Sequence, residues 1–284
     1  MPELTRIRSM LFMPGTRADM IAKIPRFAPD VAVVDLEDAV AAGDKDAARP
    51  VAAAAIDALD PATRVTVLIR VNPVGTDWFA GDVAAAARCA AAGIVVPKLS
   101  TEQQLLQVRL ALVENSWSDA VLIVGLETVL GVADARILLS GGLSGGLDGA
   151  YFGAEDYAAD IGGRRSPGGQ EVLYARSQVC VAAYLAGIPA IDQAVVGLAD
   201  DEHFLADARG GQNLGYQGKI CIHPRQVELA HQVFTPTPDE VAHARAVVEA
   251  GAAGVGVVDG QMVDDVHVRL ARSVLARAPR ADPP

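Results

Sequence analysis

The chain has 284 residues, 51% of them hydrophobic and 21% charged, which excludes a disordered chain and requires a sizeable packed core. Its formal charge of −11 repels nucleic acid and anionic lipid, so neither is expected as a main partner; an acidic ligand would need a local island of Arg, Lys or metal. Cys89, Cys180 and Cys221 stand far apart in apolar surroundings, as reduced thiols of a cytoplasmic protein do, and no apolar run has the form of a signal peptide or a membrane span.

Eight apolar runs of strand length follow one another: 9–15, 31–40, 66–73, 93–99, 120–128, 149–157, 189–196 and 218–224. They are nearly continuous rather than alternating, the pattern of strands buried on both faces of a parallel sheet. Ala-rich segments with helical character lie between them, for example 45–58, 101–114, 172–187 and 225–234. Ser100-Thr101-Glu102 and Thr237-Pro238-Asp239-Glu240 are helix-start signals. Strand and helix alternating eight times predict a (β/α)8 (TIM) barrel, spanning 1–236. An open doubly wound sheet is the runner-up, and no GxGxxG follows the first strand to support a dinucleotide site. Beyond 237 the pattern changes to a helix over about 238–252, a hairpin turning at Asp259-Gly260 and a further helix, read as a C-terminal lid or arm over 237–284. The tail 280–284 is expected to fray, and the glycine-rich 141–149 is assigned no function.

Polar residues come late in each run, where a barrel enzyme builds its site. Strand 1 ends at Pro14-Gly15-Thr16-Arg17, strand 2 at Asp35, Glu37 and Asp38, strand 3 at Arg70 and Asn72, strand 4 at Lys98. Strand 5 offers Glu127, strand 6 Glu155 and Asp156, strand 7 Asp192 and strand 8 His223. Adjacent like charges at the end of a buried strand, as at Glu155-Asp156, need positive charge nearby. Glu127 and Asp156, on neighbouring strands, would make a hard oxygen site for Mg²⁺; the plainer reading is that one caps the next helix or pairs with Arg164 or Arg165. Glu155 is expected to face the helix layer with a structural partner. Arg70, inside an apolar run, must meet a carboxylate: either Glu37 or Asp38 within the protein, or that of a substrate. Lys98 as a Schiff-base nucleophile is disfavoured because nearby acids would hold it protonated, and His223 also reads as a packed residue ahead of Pro224.

The segments MPGTR, VVDLEDAV, IRVN, VPKL, GLET, FGAEDYAADIG, GYQGKICIHPRQ and GQMVD, in that order across roughly 9–270, resemble the citrate lyase beta subunit family of the HpcH/HpaI aldolase–citrate lyase superfamily, which also holds malyl-CoA and citramalyl-CoA lyases. The resemblance implies a (β/α)8 barrel with a C-terminal lid, assembled as a homotrimer or hexamer. It also implies reversible cleavage of a 3-hydroxy-acyl thioester into an acyl thioester and a 2-oxo acid. It assigns Mg²⁺ to Glu127 and Asp156, the substrate carboxylate and oxygen to Arg70, and the acid/base role to Asp264 of the lid, which usually serves a neighbouring subunit. Glu37, Asp38, Lys98, Gly153 and Ala154 complete the expected substrate site, and Arg17 and Lys45 are expected at the phosphates of coenzyme A, with an exposed salt bridge as the alternative. Val266 stands where the family often has proline, and Asp38 stands where the thioester-free pyruvate aldolases of the superfamily carry histidine. Action only on a carrier-protein thioester, among citrate lyase partner subunits, and an idle sensor of oxaloacetate are the other readings.

Overall fold

The computed structural model describes residues 6–140, 146–251 and 254–278; most of the glycine-rich stretch and the tail fall outside these. Two compact units divide at Ala230/His231, inside the helix Pro224–Phe234. The sequence places the boundary at 236/237, because a change of pattern is visible only where that helix has ended.

The first unit is a closed barrel of eight parallel strands in sequential order: β1 (Ser9–Pro14), β2 (Val31–Asp35), β3 (Thr66–Arg70), β4 (Gly93–Val96), β5 (Val121–Leu126), β6 (Gly149–Phe152), β7 (Ala190–Asp192) and β8 (Gly218–Cys221), with β8 pairing back to β1. The expected barrel is thus observed, and the open sheet is excluded by the β8–β1 ladder. Side chains fill its interior: Met10, Val31, Val33, Leu68, Val95, Val121, Ile123, Tyr151, Ile191 and Ile220 form one buried cluster. Helices cover the outside. The helix Glu102–Glu114 starts where its sequence predicts, with a capping box of Thr101 and Gln104.

Every apolar run is longer than its strand. In the sixth run, β6 stops at Phe152 and a helix runs from Ala154 to Asp160, so Glu155 and Asp156 lie in a first helical turn rather than on a strand. Carboxylates there are favoured by the helix dipole.

The second unit holds the helix Pro238–Gly251, an antiparallel hairpin of β9 (Gly256–Val258) and β10 (Gln261–Val263), and the helix Asp265–Arg277. Asp259 and Gly260 both adopt positive φ, 51° and 76°, the conformation that a two-residue type I′ hairpin turn demands. Ala244, Val247, Val263 and Ala271 form its small core. No helix among the described residues is long and apolar enough to cross a membrane.

Candidate active site

Side chains alternate along a strand, so the series that fills the barrel interior continues to its C-terminal rim. Val31 and Val33 lead to Asp35, Leu68 to Arg70, and Val121 and Ile123 to Glu127. Parallel register sets Asp35 opposite Arg70. The Arg70 Nε and Nη2 donate to Oδ1 and Oδ2 of Asp35 at 2.7 and 2.6 Å. Asp35 also accepts from the backbone N–H of Glu37 and Ala39, so it fixes the following turn as well. The ring of Phe12 lies 5.0 Å below the guanidinium. Burial opposes the Arg70 charge, and Asp35 outweighs it, holding the group above its ordinary range.

The partner of Arg70 is therefore Asp35 first. Glu37 Oε2 is 2.9 Å from Nη1, close enough for charge attraction, but it is buried without an aligned hydrogen bond; Asp38 is 3.7 Å away. Lys98 bridges the acids: its Nζ is 2.6 Å from Glu37, 3.2 Å from Asp156 and 3.5 Å from Asp38. Burial works against the ammonium, and Glu37 more than compensates, so Lys98 is held protonated and is no Schiff-base nucleophile at neutral pH.

Glu127, 2% exposed, accepts at Oε1 from the Lys98 N–H (2.8 Å) and the Tyr151 hydroxyl (3.0 Å). Lys98 makes its bond from a left-handed backbone, φ 54°. Burial, and then repulsion from Asp156, pushes the Glu127 carboxyl up to about 7. Burial also raises Glu37, against the pull of Arg70 and Lys98.

Asp35, Asp38, Arg70, Glu127, Gly153, Ala154, Glu155 and Asp156 line one cavity of about 430 Å³ with apolar walls that include Phe12 and Ile220, and Glu37 and Lys98 pair with its lining residues Arg70 and Asp156. Five carboxylates, Asp35, Glu37, Asp38, Glu127 and Asp156, face two cations, Arg70 and Lys98. The surplus negative charge, and the raised Glu127 it helps to produce, fit a site for a hard divalent cation. Among the described residues no three His, Cys, Asp or Glu side chains converge as a complete metal cage. Glu127 and Asp156 would supply two ligands and leave the rest to water and substrate, as Mg²⁺ commonly requires.

The other candidate residues are paired within the protein. Lys45, expected at a phosphate, is buried, and its Nζ donates to the Leu36 and Glu37 carbonyls and to Asn72 Oδ1 at 3.2, 2.9 and 2.5 Å; a lysine with its donors so used ties two βα loops together. Arg17 forms the exposed ion pair, with Asp19 at 2.7 Å. Glu155 has the structural partner expected of it, Arg165 at 2.8 Å, but lines the cavity instead of facing the helix layer, because it stands in a first helical turn and not on a strand. Asp192 lies in a buried network with Arg176 (2.6 Å) and Lys219 (2.8 Å), away from the cavity lining. His223 accepts the Arg225 N–H at the start of its helix. Asp264, in the second unit, caps the helix Asp265–Arg277 by accepting from the Val266 and His267 N–H groups, and its Oδ1 is 2.7 Å from His267 Nδ1. The His267 side chain is the largest of the contacts that hold its carboxyl below the usual range.

Asp35 as the clamp of Arg70, and Tyr151 and Phe12 as supports, escape the sequence reading. Period-2 alternation from the apolar interior is the signal that finds all three.

The model of the HpcH/HpaI aldolase/citrate lyase family matches residues 8–224. A citrate lyase subunit beta-like protein of Deinococcus radiodurans is 48% identical over 95% of this chain and 96% of its own length. Citrate lyase subunit beta of Escherichia coli is 36% identical over 95% and 93%. The structure of the protein CitE from Mycobacterium tuberculosis in complex with magnesium, acetoacetate and coenzyme A superposes with a TM-score of 0.81 at 29% identity, covering 96% of this chain and 98% of that one.

Proposed function

The chain belongs to the HpcH/HpaI aldolase/citrate lyase family, and on that premise we propose that its barrel site is a Mg²⁺-dependent carbon–carbon lyase. The substrate class is a 3-hydroxy-acyl thioester of coenzyme A, of the citryl, malyl or citramalyl type. The products are an acyl thioester and a 2-oxo acid such as oxaloacetate, glyoxylate or pyruvate. The observation that carries the reading is the meeting of Glu127, Asp156 and Arg70 in one barrel-mouth cavity, with the Lys98 ammonium 3.2 Å from Asp156. The magnesium and coenzyme A in the M. tuberculosis structure support it.

Glu127 and Asp156 would hold the metal, which when bound supplies positive charge to the oxygen that becomes the oxo group. Arg70, aimed by Asp35 and stacked on Phe12, orients the oxo-acid carboxylate and adds a second positive charge at that oxygen. Lys98 balances Glu37, Asp38 and Asp156 so that an acidic substrate is not repelled. In cleavage the hydroxyl proton passes to a carboxylate base and the C–C bonding pair to the thioester α-carbon; the enolate so formed takes up a proton from a carboxylic acid, so no proton is gained or lost overall. Asp264 is assigned that proton transfer. Its cap bonds favour the ionised carboxylate, so donation requires them to be released. A cytoplasmic homotrimer or hexamer is the assembly proposed.

The test is a cleavage assay on purified protein with Mg²⁺, offering malyl-CoA, citramalyl-CoA and citryl-CoA separately and detecting free oxo acid. Turnover of one, abolished by chelator, is the expected result. Full activity in excess chelator would overturn the metal reading. Silence on all three with Mg²⁺-dependent oxaloacetate binding would favour a carrier-protein thioester and partner subunits.

A further inference from the structure

We propose that Tyr151 is a positioning residue that consumes one oxygen of Glu127 so that only the other is presented to a metal. The inference rests on the proposed metal site and adds a residue to it. Tyr151 is fully buried in the barrel interior, an unusual place for a hydroxyl unless it has a partner. Its partner is Glu127 Oε1 at 3.0 Å, the same oxygen that the Lys98 N–H reaches at 2.8 Å. Two donors on one oxygen fix the carboxylate plane and leave Oε2 as the uncommitted ligand atom.

The backbone is shaped around this arrangement at two points. A Cβ on Gly125 would lie 2.3 Å from the Tyr151 hydroxyl, so the ring reaches Glu127 by crossing the space a side chain would fill on β5. A Cβ on Gly153 would lie 2.1 Å from Glu127 Oε2, so that oxygen occupies the room the glycine leaves. The Tyr151 ring also meets Phe12 edge-on at 6.3 Å, and Phe12 underlies Arg70. One aromatic pair therefore supports both the proposed metal carboxylate and the arginine clamp.

Tyr151→Phe removes the hydroxyl and keeps the ring. In the full-length protein, Mn²⁺ binding is measured by titration with paramagnetic detection, and Mg²⁺ dependence of turnover in parallel. The expected result is a roughly 10- to 100-fold weaker Mn²⁺ affinity, the range seen when a group behind a metal ligand is removed. A matching rise in the Mg²⁺ concentration for half-maximal rate is expected, with kcat largely restored at saturating Mg²⁺. A packing role alone would lower thermal stability and leave the metal dependence unmoved. Wild-type affinity in Tyr151→Phe, with the parent protein binding Mn²⁺, overturns this inference and leaves the metal-lyase reading intact. A parent protein that binds no Mn²⁺ overturns that reading, and this inference with it.

Discussion

Arg70 and Glu127 are each held by neighbouring protein groups, Asp35 and Phe12 for the first and the Lys98 N–H and Tyr151 hydroxyl for the second. Arg70→Lys keeps the charge but cannot reproduce the two-pronged bond to Asp35 or the stack on Phe12. We expect kcat/KM to fall by about 100-fold or more, from about 3 kcal/mol of lost transition-state binding, with overall fold retained by circular dichroism. Glu127→Gln and Asp156→Asn should each abolish Mn²⁺ binding and turnover together. The raised Glu127 has a further consequence. Its folded-state carboxyl, at about 7, stands above its ordinary 4.5, so the folded protein binds the proton more tightly than the unfolded chain. Stability from this group is therefore present at low pH and lost as pH rises from about 4.5 to 7, by roughly 3 kcal/mol at about 1.4 kcal/mol per pH unit. Glu127→Gln should accordingly melt higher than the parent in metal-free buffer at pH 8, and saturating Mg²⁺ should narrow the gap. Metal affinity should fall about tenfold per pH unit below 7, because the cation must displace that proton. Thermal melts with and without chelator, and metal titrations from pH 5.5 to 8.5, check both.

At the scale of elements, the turn that joins β6 to its helix does what the sixth strand was expected to do. Gly153 ends the strand, and Glu155 and Asp156 enter the first helical turn, where Arg165 takes the first and Lys98 the second. Gly153→Ala should weaken Mn²⁺ binding at least tenfold through the 2.1 Å approach to Glu127 Oε2, visible by titration before any large drop in melting temperature. The helix that begins after Asp264 offers a separate test. Asn caps helices about as well as Asp. Asp264→Asn should thus keep the melting temperature, Mn²⁺ binding and oxo-acid binding while losing turnover; unchanged kcat would remove Asp264 from the proton transfer.

For the whole molecule, charge is the governing quantity. On the proposed function a chain of formal charge −11 would have to bind an acidic thioester, and the barrel mouth concentrates Arg70 and Lys98 among carboxylates that a divalent cation would balance. Of the two residues expected at coenzyme A phosphates, Lys45 is buried and Arg17 remains exposed, already paired with Asp19. Arg17→Ala should raise KM for the thioester several-fold with kcat unchanged if that contact is made, and salt should raise KM in the parent in the same sense.

Eight buried runs separated by Ala-rich helical segments made the barrel legible, because a run buried on both faces needs no knowledge of its neighbours. The late position of Asp35, Arg70, Lys98, Glu127 and Asp156 in those runs made most of the candidate site legible too. What sequence could not supply was which acid meets which base. That depends on strand register and barrel curvature, which set Asp35 rather than Glu37 or Asp38 squarely against Arg70. It depends also on where one element stops, as at Gly153, and on depth, which turns Lys45 inward to backbone carbonyls and aims the Tyr151 hydroxyl at Glu127. Local pattern fixes which residues face inward; only closure of the sheet brings residues distant in the chain within bonding distance.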